Sequence, residues 1–128
     1  MTTALTLSSE ERQRYIRAAR ERRLFVPMTP AQESDRSLLL ARIREAVGEL
    51  KRRFAVQRVV LFGSLAHGAW YDAATDVDLA VEGLKGADFW GAWRLVEEVI
   101  ADRVVDFVAL ETVSEPLRDA IRAGGIEL

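Results

Sequence analysis

The chain has no cysteine and a single histidine among its 128 residues. Without cysteine there can be neither a disulfide framework nor a thiolate metal site, and the cytosol is the compartment to expect. Long apolar runs are also missing. Nothing in the sequence approaches the ~20 consecutive apolar residues that span a bilayer. The N-terminal MTTALTLSSEER has no basic n-region followed by an apolar h-region, so no signal peptide is expected. Neither G-x-x-x-x-G-K-[ST] nor G-x-G-x-x-G occurs, which argues against the common glycine-rich phosphate binders.

What is present is the composition of one folded domain. Nearly half the residues are hydrophobic and about a third are charged, which separates the chain from disordered sequences. Its length suffices to bury a core. The net charge of −2 hides a split: residues 1–58 carry 13 Lys/Arg against 7 Asp/Glu, and residues 59–128 carry 5 against 13. Such asymmetry concerns partners, not fold. Either these are solvated helix faces, or the acidic half needs cations while the basic half meets something anionic.

Residues 8–23 (SSEERQRYIRAARERR) read as a helix opened by a capping box, Ser8 with Glu11. Its apolar stripe is thin (Tyr15, Ile16, Ala18, Ala19), which suits packing on another chain. Pro27 and Pro30 make the following stretch a connector. The division expected is therefore an N-terminal helix and connector over 1–30 and a main domain over 31–128. From Ala31 to Phe54, Leu39, Leu40, Ile43, Val47, Leu50 and Phe54 recur at helical steps. Strands are expected at Arg58–Phe62, over 76–82 and at Arg103–Leu110. Helices are expected at Ala87–Ile100 and Ser114–Ala123, and a short terminal strand follows Gly124-Gly125. This order predicts an α/β (α+β) fold: a small mixed β-sheet covered by helices, with an added N-terminal helical segment.

The chemistry lies in VVLFGSLAHGAWYDAATDVDLAV, residues 59–81. Strand side chains alternate, so Asp76 and Asp78 share a face roughly 7 Å apart while Val77, Leu79 and Val81 point into the core. Two like charges at that spacing raise each other's pKa unless a cation intervenes. Magnesium, a hard ion held by one or two carboxylates plus substrate phosphates, meets the need. Asp106, within RVVDFVAL (103–110), is a third acid in an apolar strand, and burying it unpaired would be costly. If its strand lies beside that of Asp76 and Asp78, the three can converge as the clamp for two divalent ions used in in-line phosphoryl displacement. Gly63-Ser64, at a strand end, offers backbone N–H groups and a hydroxyl to a phosphate. Taken singly, a Gly-Ser is a turn, an Asp-x-Asp a pair of surface acids, and a strand Asp an edge residue or ion-pair partner. The combination, in this order on these elements, is far more specific.

These residues resemble the nucleotidyltransferase superfamily, in particular its minimal nucleotidyltransferase (MNT) members. The family pattern is a strand, Gly-Ser, about ten residues, Asp-x-Asp on the next strand and an acid on a later one. Gly63-Ser64, Asp76-Val77-Asp78 and Asp106 match it, and Leu65-Ala66-His67-Gly68 and Leu79-Ala80-Val81 are similar to the family's wording. The resemblance covers residues 59–110. Two departures fall in the loop: eleven residues separate Ser64 from Asp76, and Thr75 stands where the family commonly has serine. They question substrate fit more than metal binding.

The resemblance implies transfer of a nucleoside monophosphate, AMP from ATP, to an acceptor hydroxyl. Asp76, Asp78 and Asp106 would hold two Mg²⁺ ions, and Asp106 would help deprotonate the acceptor. Gly63, Ser64 and Thr75 would contact the nucleotide, the first two at its β/γ-phosphates. Many minimal members are antitoxins paired with a small helical HEPN ribonuclease, and some adenylylate a tyrosine on it. The rivals are a small-molecule (aminoglycoside-type) transferase and an antitoxin that neutralises by binding alone; direct nucleic-acid binding stays open. Among the lone features, His67 is either a phosphate or acceptor contact or a loop histidine without a role. Trp70 and Tyr71 either stack on a base or pack over the loop. Trp90 and Trp93 read as core or interface, and Lys51-Arg52-Arg53 as a solvated helix end.

Overall fold

Helix α1 (Pro30–Phe54) begins where the sequence supplies its own cap. Gln32 N–H donates to Thr29 Oγ1 at 3.1 Å, and Thr29 N–H donates to Gln32 Oε1 at 2.9 Å. Two of the donors that every helix N-terminus leaves unpaired are thereby satisfied, and Pro30 at the first position has no N–H to lose. Pro30 thus opens the helix, one residue ahead of the expected start. The computed structural model describes residues 28–67, 71 and 74–128. The helix expected over 8–23 and Trp70 lie outside the described residues.

After α1 come β1 (Arg58–Phe62), a five-residue helix α2 (Gly63–His67) and β2 (Val77–Glu82). A 3₁₀ turn at Gly86–Asp88 leads into α3 (Phe89–Ile100), followed by β3 (Val105–Ala109), α4 (Glu115–Gly124) and a two-residue β4 (Ile126–Glu127). The sheet order is β3-β2-β1-β4, with β1 antiparallel to β2 and to β4 and β2 parallel to β3. It is the mixed sheet covered by helices that the sequence predicts.

Alternation along the strands sorts the core into two layers. Val59, Leu61, Val77, Leu79, Val81, Val105 and Phe107 face α1 and α3, meeting Leu39, Ile43, Ala46, Val47, Leu50, Ala92, Val96 and Ile100. Val60, Phe62 and Ala80 face the other way, with Leu110 just after β3 and Ile121 of α4. A fully buried Leu or Ile of this kind contributes about 1.5–3 kcal/mol relative to exposure. Trp93 donates its indole N–H to Val105 C=O at 3.0 Å, on the edge strand. Trp90 is 71% exposed and stacks on Trp93 at 5.3 Å, so only the second tryptophan is a core residue. Lys51, Arg52 and Arg53 are exposed as expected, the two arginines paired with Glu49. Among the described residues, no helix is long and apolar enough to cross a membrane.

Candidate active site

Strand directions decide which chain ends meet. Because β1 runs antiparallel to β2 and β2 parallel to β3, the end of β1 and the starts of β2 and β3 share one edge of the sheet. Gly63-Ser64 follow β1, Asp76 and Asp78 flank Val77 at the start of β2, and Asp106 is the second residue of β3. The register is direct: Phe62 pairs with Asp78, and Asp78 pairs with Asp106. Asp78 lies two residues before Ala80, so it projects with it toward the α4 face. It is only 4% exposed.

Asp76, the expected first residue of this strand, sits one residue ahead of it, since β2 begins at Val77. Burial pushes its carboxyl above the usual carboxylate range, the charge of Asp106 pushes it further, and Arg103 pulls it back. The acids are thus electrostatically coupled across two strands. Ser64 is half-buried as the second residue of α2, so the expected turn is a short helix. Thr75 is buried, and its backbone carbonyl accepts from Arg103 Nη1 at 2.9 Å.

The geometry allows a test of whether these groups suit a divalent cation. Gly63 has φ +76°, and a methyl group there would overlap Asp78 Oδ2 and lie 3.1 Å from its Cγ. Only glycine lets the backbone run against this carboxylate. The donors are carboxylate oxygens, the set a hard ion prefers. Among the described residues no three such side chains close into a ready-made metal cage, so the full convergence expected from sequence is not preformed. Magnesium takes one or two carboxylates and completes its shell with water and phosphate. The donor set fits an ion that arrives with a nucleotide.

This close approach makes two glycines behave oppositely. Gly63→Ala is expected to destabilise the protein by about 1–3 kcal/mol, because a side chain is forced into the left-handed region and against Asp78. Gly48→Ala, inside α1 and 3.8 Å from only the Arg52 guanidinium, is expected to stabilise by roughly 0.5–1 kcal/mol. Urea unfolding of both variants checks the contrast.

Sequence comparison extends the picture. The nucleotidyltransferase domain profile matches residues 42–123, most of the chain. The chain belongs to the nucleotidyltransferase family. Among solved structures, a minimal nucleotidyltransferase is 26% identical with a TM-score of 0.62, over 73% of this chain and 95% of that one. A toxin–antitoxin crystallised with AMP-PNP is 25% identical with a TM-score of 0.54, over 65% of this chain and 69% of that one. A mutant of the MntA–HepT toxin–antitoxin is 25% identical with a TM-score of 0.56, over 66% and 69%. Among curated proteins, none matches the sequence.

The remaining candidates divide. His67 is exposed at the end of α2, and a Cβ on Gly124 of α4 would lie 3.0 Å from its imidazole Cε1. Tyr71 is buried with the main core, and its hydroxyl donates to Asp35 of α1. Arg103 and Asp35, which join Tyr71, went unnoticed in the sequence, where an arginine opening an expected strand and an aspartate in a polar helix turn look like ordinary surface charges.

Proposed function

We propose that this nucleotidyltransferase is an Mg²⁺-dependent adenylyltransferase acting on a protein tyrosine, and that it serves as the antitoxin of a small helical HEPN-type ribonuclease toxin. The observation that carries the chemistry is the register pairing of Asp78 with Asp106 beside Gly63-Ser64 at the start of α2. Asp76, Asp78 and Asp106 would hold the metal, which when bound would offset charge on the ATP phosphates. Gly63 and Ser64 would meet the β/γ-phosphates, and Thr75 would line the nucleotide side of the loop. The acceptor oxygen attacks the α-phosphorus, its proton passes to a carboxylate oxygen of Asp106, the α–β P–O bond breaks, and pyrophosphate departs with that electron pair.

The choice of a protein acceptor is supported by the toxin–antitoxin neighbours, one of them crystallised with an ATP analogue. In this reading the arginine-rich segment within 1–30 forms a unit separate from the catalytic domain (31–128) and contacts the partner. The test is incubation with Mg·ATP and a small helical HEPN-type protein, followed by intact mass measurement. A gain of one or more AMP units, mapped to a tyrosine, is expected. A tight but unmodified complex would replace catalysis with neutralisation by contact, and AMP transfer to a small hydroxylated compound alone would replace the protein acceptor.

A further inference from the structure

Arg103 lies two residues before β3, and its side chain is only 5% exposed. A guanidinium cannot shed its charge, so burial on this scale requires partners. Nη1 donates to Thr75 C=O at 2.9 Å, and Nη2 donates to Asp35 Oδ2 at 3.1 Å and to the Tyr71 hydroxyl. That hydroxyl in turn donates to Asp35. The guanidinium carbon also lies 4.9 Å from the centroid of the Tyr71 ring, within cation–π range. Helix α1, the loop after α2 and the residue before Asp76 are thus tied to one side chain.

The effect of this tie falls on Asp76. Asp76 is outside β2, so the strand ladder does not itself fix its backbone. The peptide on its N-terminal side is held through Thr75 C=O by Arg103, and on its C-terminal side Val77 N–H donates to Val104 C=O at 3.0 Å. Both anchors come from consecutive residues just ahead of β3. Asp76 is therefore oriented by the same segment that delivers Asp106.

We infer that Arg103, locked by Asp35 and Tyr71, is the positioning residue that sets Asp76 for the metal–nucleotide site. This rests on the proposed nucleotidyl transfer at that site. Arg103 itself touches neither metal nor nucleotide in this account. It acts through the Thr75 carbonyl, and the planar fork is what lets one group serve acceptors on three segments.

The experiment titrates Mg²⁺ at a fixed concentration of a fluorescent ATP analogue and reads binding in wild type, Arg103→Ala, Arg103→Lys and Tyr71→Phe. Melting curves establish that each variant is folded at the assay temperature. Loss of an outer partner of a metal ligand typically costs about 10–100-fold in metal affinity. The Mg²⁺ concentration for half-maximal binding is expected to rise by that order in Arg103→Ala and to recover only in part in Arg103→Lys. Tyr71→Phe, which removes one hydroxyl, should shift it in the same direction, and it decides the matter if Arg103→Ala does not fold. Folded variants with a wild-type Mg²⁺ requirement would overturn the inference, leaving Arg103 a pin for the fold alone. Full rescue by lysine would overturn it too, since charge and not position would then be the requirement. If wild type itself shows no Mg²⁺-dependent binding, the proposed function fails and this inference with it, a result distinct from a failure confined to the variants.

Discussion

Asp106→Ala is expected to reduce nucleotidyl transfer by about 10²–10⁴-fold, the usual contribution of a positioned general base, while retaining most Mg²⁺-dependent ATP binding. The split follows from where the acids sit. Asp76 and Asp78 flank Val77 at the start of β2, whereas Asp106 reaches the same edge from β3. Under the proposed function, loss of the β3 acid would leave Asp76 and Asp78 to hold the nucleotide and would remove the group assigned to the acceptor side. Single-turnover transfer, measured beside equilibrium binding, separates the two effects.

The same variant discriminates against a structural role. Among the described residues Asp106 forms no ion pair, it is half-buried, and its charge disfavours ionisation of Asp76. Removing it should leave the metal-free protein as stable as before or slightly more so. Breaking a buried ion pair would instead cost about 3–5 kcal/mol. A metal-free Asp106→Ala protein destabilised on that scale would contradict the catalytic assignment.

The elements were legible where the periodicity was long or the punctuation sharp. Strand β1 ends at Phe62 because Gly63 follows, and α1 shows six apolar positions at helical steps. Helix α2 was not legible, since five residues are too few to display a 3.6-residue period. Gly63-Ser64 therefore read as a turn. The pairing of Asp78 with Asp106 was foreseeable only as a condition, because adjacency of β2 and β3 depends on the α3 crossover packing back on the sheet. The Arg103 cluster was invisible for a different reason. Its partners lie 32 and 68 residues away along the chain, and nothing local to any of the three predicts the others. The start of β2 shows the limit of strand patterning: alternation carries back to Asp76, yet the ladder begins at Val77.

The claim on which the rest depends is that the two acids at the start of β2 make the metal–nucleotide site. Asp76 adds a signature in pH. Its folded-state pKa lies above the ordinary carboxyl value, through burial first and Asp106 second. The native state therefore holds this proton more tightly than the unfolded chain, and stability falls as pH rises through that window. Asp76→Asn should accordingly raise the melting temperature of the metal-free protein at neutral pH, with the gain fading below the unfolded carboxyl pKa of about 4. Wild type, by contrast, should gain stability when Mg·ATP is added, by about 2.7 kcal/mol at a hundred times Kd, a rise on the order of 10 °C for a domain of this size. Calorimetric titration of ATP into wild type and into Asp76→Asn/Asp78→Asn, each with and without Mg²⁺, is the most direct test. The account predicts Mg²⁺-dependent binding in wild type and none in the folded double variant; equal Mg·ATP binding by both would contradict it.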